Sequence, residues 1–420
     1  MYKKSVNRIV IGDVGSGKTI IAFLTALTYM KSLEKSVVVL LAPTEVLAFQ
    51  HYTKLISYLN IWSDNFFDQV DFIYLSNRSI YLNNLKITKK SLTKAELKSH
   101  RFYIGTHALL FVSEINPDFV LVDEQHRFGV SQRQHLTTSK NDSEKEFSPH
   151  FVSFTATPIP RTLALTVFQS LKPLFLKSLK FREKILTNIV SFVSFEDKVV
   201  DAIKAELDKK RKIYVICARV EDKEEGEEDL WSVKKAVDTL EGFFPDRILS
   251  VHGKLKNKKD ILKEFKDSTD KHILVATTVV EVGVDVAEAT LVVILNAEKF
   301  GLSALHQIRG RVGRNSYQDN QCLLVTTDQY LRSRRLKYLC QYQDGFEIAE
   351  KDLELRGGGD IIGKAQSGFE EDIQNLMGLN QEMYYNITEL VNSLDLTSLE
   401  KDMPRLYNYL EKESAKVWEE

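Results

Sequence analysis

Short apolar runs rich in Val, Ile and Phe alternate along the chain with longer stretches whose apolar positions recur at helical spacing. A strand covered on both faces reads as a nearly continuous apolar run, so this alternation predicts parallel strands joined by crossover helices. In the first half the predicted strands are residues 7–11, 37–42, 70–75, 101–104, 119–122 and 151–154. The rhythm then restarts, with strands predicted at 189–193, 212–217, 247–251, 272–276, 291–295 and 321–325, and with helices at 197–208 and 256–265 among them. Two doubly wound α/β lobes follow, joined near residues 172–184. Strand signals stop after Thr327; residues 329–343 and 370–394 are predicted helical, with a glycine-rich break at 356–368. The expected division is a first lobe over residues 1–171, a second over 172–328 and a helical C-terminal segment over 329–420.

A length of 420 residues suits two or three domains, and 43% hydrophobic with 27% charged residues is ordinary for globular chains. No apolar run approaches the length of a bilayer crossing. The short apolar stretch after Lys3 and Lys4 runs straight into Gly12 and Asp13 with no cleavage pattern, so a cytoplasmic protein is expected. Cys217, Cys322 and Cys340 lack paired metal spacing and imply neither a disulfide framework nor a zinc site. Residues 221–229 are crowded with acids and read as a solvated loop. A net charge of −1 does not announce a polyanion partner, so any nucleic-acid reading must rest on local motifs.

Residues 12–19, Gly-Asp-Val-Gly-Ser-Gly-Lys-Thr, match G-x-x-x-x-G-K-T between a predicted strand and a predicted helix. Gly12, Gly15 and Gly17 let backbone N–H groups converge on phosphate oxygens, and the helix N-terminus favours the anion. Lys18 is expected to reach the terminal phosphates of ATP, and Thr19 to hold Mg²⁺. Residues 119–124 form an apolar strand ending in two acids. Asp123 is expected on the metal and Glu124 on the attacking water. In the second lobe, residues 307–314 read Gln-Ile-Arg-Gly-Arg-Val-Gly-Arg. Arg311 and Arg314 are expected to enter a cleft between the lobes and stabilise the transferring phosphoryl group. Taken alone, that segment reads equally as a basic surface helix.

With these blocks in this order, the chain resembles superfamily 2 helicases of the DExH type, and within them the RecG branch-migration helicases, over residues 7–368. Residues 42–51 look like motif Ia, 104–110 like motif Ib, 123–129 like motif II and 155–165 like motif III; 251–253, 276–285 and 307–314 look like motifs IV, V and VI. The resemblance implies two tandem RecA-like lobes with parallel sheets flanked by helices, plus a helical C-terminal segment. It implies an ATP- and Mg²⁺-dependent DNA translocase acting on branched duplex DNA, such as stalled forks and Holliday junctions, in recombination and repair. Asp285 joins the nucleotide contacts on the same ground. Thr44, Thr106 and Thr278 are expected to meet the DNA backbone, although each serves equally as a helix N-cap. Thr155 and Thr157 are expected to couple the γ-phosphate to DNA grip, and His126 and Gln307 to link the lobes; a buried capping role for Thr155 and a core histidine at 126 are the alternatives. Residues 346–368 resemble the translocation motif shared by RecG and the transcription-repair coupling factor, with Arg356 and Gln366 as expected DNA contacts.

The chain departs from that pattern in places. RecG proteins carry a wedge domain and an adenine-recognising segment ahead of the phosphate loop, where residues 1–11 stand here, so a motor core without its wedge is expected. Gly358 stands where a proline is usual, and Ser131 where a basic residue is expected. Two alternatives stay open: a truncated or split-gene remnant that binds nucleotide and needs a separately encoded wedge domain, and the motor of a transcription-repair coupling factor. Gln125 and the run Leu163-Ala164-Leu165 favour RecG over the latter.

Overall fold

A computed structural model of the chain describes residues 5–62, 64–94, 97–112, 115–124, 149–155, 172–177, 184–220, 230–253, 255, 257–277, 289–313 and 319–356. Both sheets lie in one compact unit, Met1–Leu355; of the second unit, Arg356–Glu420, only Arg356 is described.

The first sheet contains β1 (Asn7–Gly12), β2 (Ser36–Leu41), β3 (Val70–Leu75), β4 (Ile80–Leu82), β5 (Leu85–Ile87), β6 (His100–Gly105), β7 (Phe119–Asp123), β8 (His150–Thr155) and β9 (Lys172–Leu176). Their spatial order is β5-β4-β3-β6-β2-β7-β8-β1-β9. Pairing is parallel except along the β3-β4-β5 hairpins. Helices α1 (Lys18–Lys31), α2 (Glu45–Trp62) and the short α3 (Lys89–Lys94) connect it. Every residue of β2 is buried. Val38 and Leu40 enter one apolar cluster, while Val37, Val39 and Leu41 enter the other, as the two-residue period of a strand covered on both faces requires.

The second sheet contains β10 (Leu186–Ser191), β11 (Lys212–Ile216), β12 (Ile248–Val251), β13 (Ile273–Ala276), β14 (Ala289–Leu295) and β15 (Gln321–Thr326), all parallel, in the order β10-β15-β14-β11-β13-β12. Its helices are α4 (Asp201–Asp208), α5 (Val233–Glu241), α6 (Lys258–Asp267) and α7 (Leu302–Arg309). Val292 and Ile294 of β14 point into one core, Leu291, Val293 and Leu295 into the other. The buried carboxylate of Glu206 at the end of α4 bonds Lys209, Arg211 and Thr290, and the same two cations hold Asp319 just before β15. After β15 come α8 (Arg334–Gln341) and α9 (Gly345–Arg356), joined by a short turn.

Two expectations need correction. The lobe boundary does not fall at residue 171, because β9 pairs with β1 from Arg8↔Lys172 to Gly12↔Leu176 and completes the first sheet. Its half-covered edge position lets it carry Lys172 and Pro173, which hid it among polar residues. The first strand of the second sheet lies at Leu186–Ser191 rather than 189–193, with Ser191 turning the chain by accepting from Val193 N. Among the described residues, no helix is long and apolar enough to cross a membrane.

Candidate active site

Because β1, β8 and β7 are adjacent, their carboxyl ends gather Gly12, Thr155 and Asp123 on one edge of the first sheet, with Ile11↔Thr155 and Asp123↔Phe154 in register. Open α/β sheets bind ligands at such an edge.

The loop leaving β1 turns through Gly15 at φ 78° and Gly17 at φ 88°, backbone that glycine adopts without strain. Gly12 is required for space: a Cβ there would lie 2.5 Å from Ser16 Oγ and 3.0 Å from Leu176 Cβ. Lys18 opens α1 and folds its Nζ into the loop, donating to the carbonyls of Gly12 at 2.8 Å and Asp13 at 2.7 Å. Ser16 Oγ is buried with no hydrogen-bond partner, a polar atom left over within the loop. Thr19 stands in the first turn of α1.

Asp123 closes β7. Its Oδ2 lies 2.8 Å from Nε2 of His51 on α2, which leaves Oδ1 for a cation. Hydroxyl and carboxylate oxygens such as those of Thr19 and Asp123 are the hard donors that Mg²⁺ prefers, so the residues present fit that metal. Glu124 follows at φ 54°, held by its N–H donating to Phe154 O at 2.8 Å. Thr155 is 3% exposed at the tip of β8. Thr44 caps α2, its Oγ1 accepting from Leu47 N at 3.3 Å, so the N-cap reading holds for this residue. Thr106 precedes a 3-10 turn, His107–Phe111, without a side-chain cap bond.

The second lobe meets the loop through α7. A Cβ on Gly310 would lie 2.9 Å from Val14 Cγ1, so glycine is what allows the approach. Arg311 follows directly, in the turn after α7, and Gln307 lies half-buried on the helix. Two residues passed over in the sequence make a short link: His306 Nε2 is 2.6 Å from Asp13 Oδ1, with both side chains buried. Gly345 N donates to Asp13 Oδ2 at 3.1 Å, and Phe346 packs with Ile9, Ile11 and Phe175 of the first lobe. Arg309, the first arginine of its block, is fully buried and bonds main-chain carbonyls and His306 Nδ1, so its guanidinium is not directed at a phosphoryl group.

Arg314, Asp285, Thr157, Thr278, Gln366 and His126 lie outside the described residues, as does the side chain of Arg356. His51 had a signal, since it is the last residue of its motif block. Asp13 and His306 had none, because Asp13 occupies a position that its motif leaves unspecified and His306 lies one residue ahead of its block.

Two RecA-like lobes, a phosphate loop on one and an arginine-bearing turn of the other laid against it define a helicase-type motor core. Comparison with known families agrees. Residues 1–166 match DEAD/DEAH box helicase, 196–316 the helicase conserved C-terminal domain, and 342–395 ATP-dependent DNA helicase RecG, domain 3, C-terminal. The ATP-dependent DNA helicase RecG of Aquifex aeolicus is 40% identical over 377 residues, covering 87% of this chain and 45% of that protein. That of Haemophilus influenzae is 38% identical over 384 residues, 88% of this chain and 52% of the relative. A solved RecG bound to a three-way DNA junction superposes with a TM-score of 0.66 at 28% identity, covering 93% of this chain and 48% of the other. The chain belongs to the RecG family. It spans about half the length of the curated relatives it matches.

Proposed function

We propose that this chain is an ATP-driven motor that moves on branched duplex DNA in recombination and repair, in the compartment that holds the chromosome, the cytoplasm. The observation that carries the reading is the contact of Gly310 with Val14, which lays the arginine turn of one lobe on the phosphate loop of the other. Lys18 leaves its two carbonyl acceptors for the terminal phosphates; Gly12, Gly15 and Gly17 line the loop with N–H donors. Thr19 and Asp123 hold Mg²⁺, Glu124 polarises the attacking water, and Arg311 with Arg314 meets the charge that builds on the phosphoryl group. Bound Mg²⁺ supplies charge neutralisation at the phosphate oxygens. Asp285 completes the nucleotide contacts.

Thr44, Thr106 and Thr278 are assigned to the DNA backbone, Thr155 and Thr157 to its coupling to nucleotide, Gln307 to the link between the lobes, and Arg356 and Gln366 to the duplex. DNA as partner is supported by the relative solved on a three-way junction. ATP turnover by the purified chain tests the proposal: forked DNA should stimulate it, and Lys18→Ala should abolish it. A separately added wedge domain is the comparison arm, since stimulation that is already complete without it assigns the DNA response to these residues. No stimulation by any DNA, with or without the wedge, sinks the motor reading.

A further inference from the structure

Asp13 is an odd residue for a phosphate loop. A carboxylate beside an anion site repels the ligand, and burying one costs free energy unless it is paired. Yet Asp13 is 4% exposed. Its bonds explain the position. Oδ1 accepts from Val14 N at 2.6 Å and faces His306 Nε2 at 2.6 Å; Oδ2 accepts from Gly345 N at 3.1 Å. Two of these three contacts come from beyond the first lobe.

His306 is oriented in turn. Its Nδ1 lies 3.0 Å from Arg309 Nη2. A guanidinium only donates, so Nδ1 accepts and Nε2 carries the hydrogen given to Asp13. Arg309 is anchored by the carbonyls of Leu339 at 2.5 Å, Tyr342 at 2.9 Å and Gln343 at 3.2 Å, where α8 ends. At the other end of the chain of contacts, the main chain of Asp13 accepts from Lys18 Nζ at 2.7 Å and from Ser16 N at 3.1 Å. The carboxylate that the second lobe grips therefore belongs to the residue whose carbonyl holds the phosphate-binding lysine.

We propose that Asp13 and His306 are positioning residues through which the second lobe sets the conformation of the phosphate loop, with Arg309 fixing the histidine tautomer and tying the pair to the turn between α8 and α9. The inference rests on the ATP-motor reading and adds to it a direct mechanical input to nucleotide affinity. Separating the lobes takes the donors from Asp13 and releases the loop that presents Lys18.

The full chain is assayed for ATP turnover with forked DNA and for binding of methylanthraniloyl-ADP with Mg²⁺. His306→Leu should raise the ATP KM and the analogue Kd about tenfold, the scale of a lost hydrogen bond to a charged group, while kcat stays within about threefold. His306→Gln, whose amide can both donate to Asp13 and accept from Arg309, should restore KM to within about threefold of the unsubstituted chain. Asp13→Ala, which also loses the bonds from Val14 N and Gly345 N, should raise KM at least as far as His306→Leu, and the double variant should be no worse than Asp13→Ala alone. Unchanged KM, equal damage from Leu and Gln, or multiplying effects in the double variant overturns the proposal. If His306→Leu fails to melt cooperatively, Asp13→Ala decides alone. An unsubstituted chain that neither turns over ATP nor binds the analogue overturns the motor reading instead.

Discussion

His51 Nε2 lies 2.8 Å from Asp123 Oδ2, so helix α2 reaches across to the tip of β7 and fixes the carboxylate assigned to the metal. Groups that orient a metal-binding carboxylate are typically worth about 10- to 100-fold in metal affinity or activity. His51→Ala is expected to lower ATP turnover at limiting Mg²⁺ by about tenfold or more, with part of the loss recovered at high Mg²⁺. Titrating Mg²⁺ at saturating ATP reads this directly; an unchanged Mg²⁺ requirement would remove His51 from the site.

Gly310 should tolerate no side chain. An alanine Cβ would come within 2.9 Å of Val14 Cγ1 and 3.1 Å of Val14 Cβ, and so would push the arginine turn off the phosphate loop. Since misplacement by about 1 Å can cost about a hundredfold in rate, Gly310→Ala should reduce kcat on that scale. Adding Val14→Ala, which removes the Cγ1 atom, should recover part of it. Turnover of the single and double variants checks both statements.

Burial pushes the thiols of Cys217 and Cys322 up to about 12 from an ordinary value near 9. Between these limits the unfolded chain gives up both protons and the folded chain keeps them. Their contribution to stability is therefore complete below about pH 9 and declines as pH rises toward about 12, at about 1.4 kcal/mol per pH unit for each thiol. Urea unfolding from about pH 8 to about pH 10.5 should show the decline. A Cys217→Ala/Cys322→Ala chain should show a shallower one.

The second lobe should respond at the acid end. Hydrogen bonds from Lys209 and Arg211 hold the Asp319 carboxyl down to about 2, against desolvation. The depressed value means that the contribution is present above the ordinary carboxylate range near 4 and is lost as pH falls through about 2. Because the Asp319 side chain is 44% exposed, solvent screening limits the pair to less than about 1 kcal/mol. Asp319→Asn should lower the melting temperature slightly at neutral pH, with the gap from the unsubstituted chain closing as pH approaches 2.

Strands buried on both faces were legible in the sequence because burial writes itself as an apolar run, as in β2 and β14. Partly exposed strands were not. β9 has exposed Lys172 and half-exposed Leu174, and the β4-β5 hairpin is three residues on each side. That hairpin did leave a trace, the pair Asn83-Asn84, whose φ of 48° and 70° is the left-handed backbone of a tight turn. Lys18, Thr19 and Asp123, the residues proposed for phosphate and metal, stood out through motif spacing, since spacing encodes local geometry. Contacts between distant segments were hidden: nothing in a linear reading joins Asp13 to His306 or His51 to Asp123.

Glu124 sits at φ 54°, where an unbranched L-residue costs about 1–2 kcal/mol relative to glycine. The fold by itself favours glycine at this turn, which would keep the N–H bond to Phe154 O. Glu124→Gly should accordingly melt higher, by the equivalent of about 1 kcal/mol, and turn over no ATP. Selecting variants of this chain for heat resistance alone would then drift toward molecules that are sturdier and idle, because the most stable sequence for this architecture is not the one that does work.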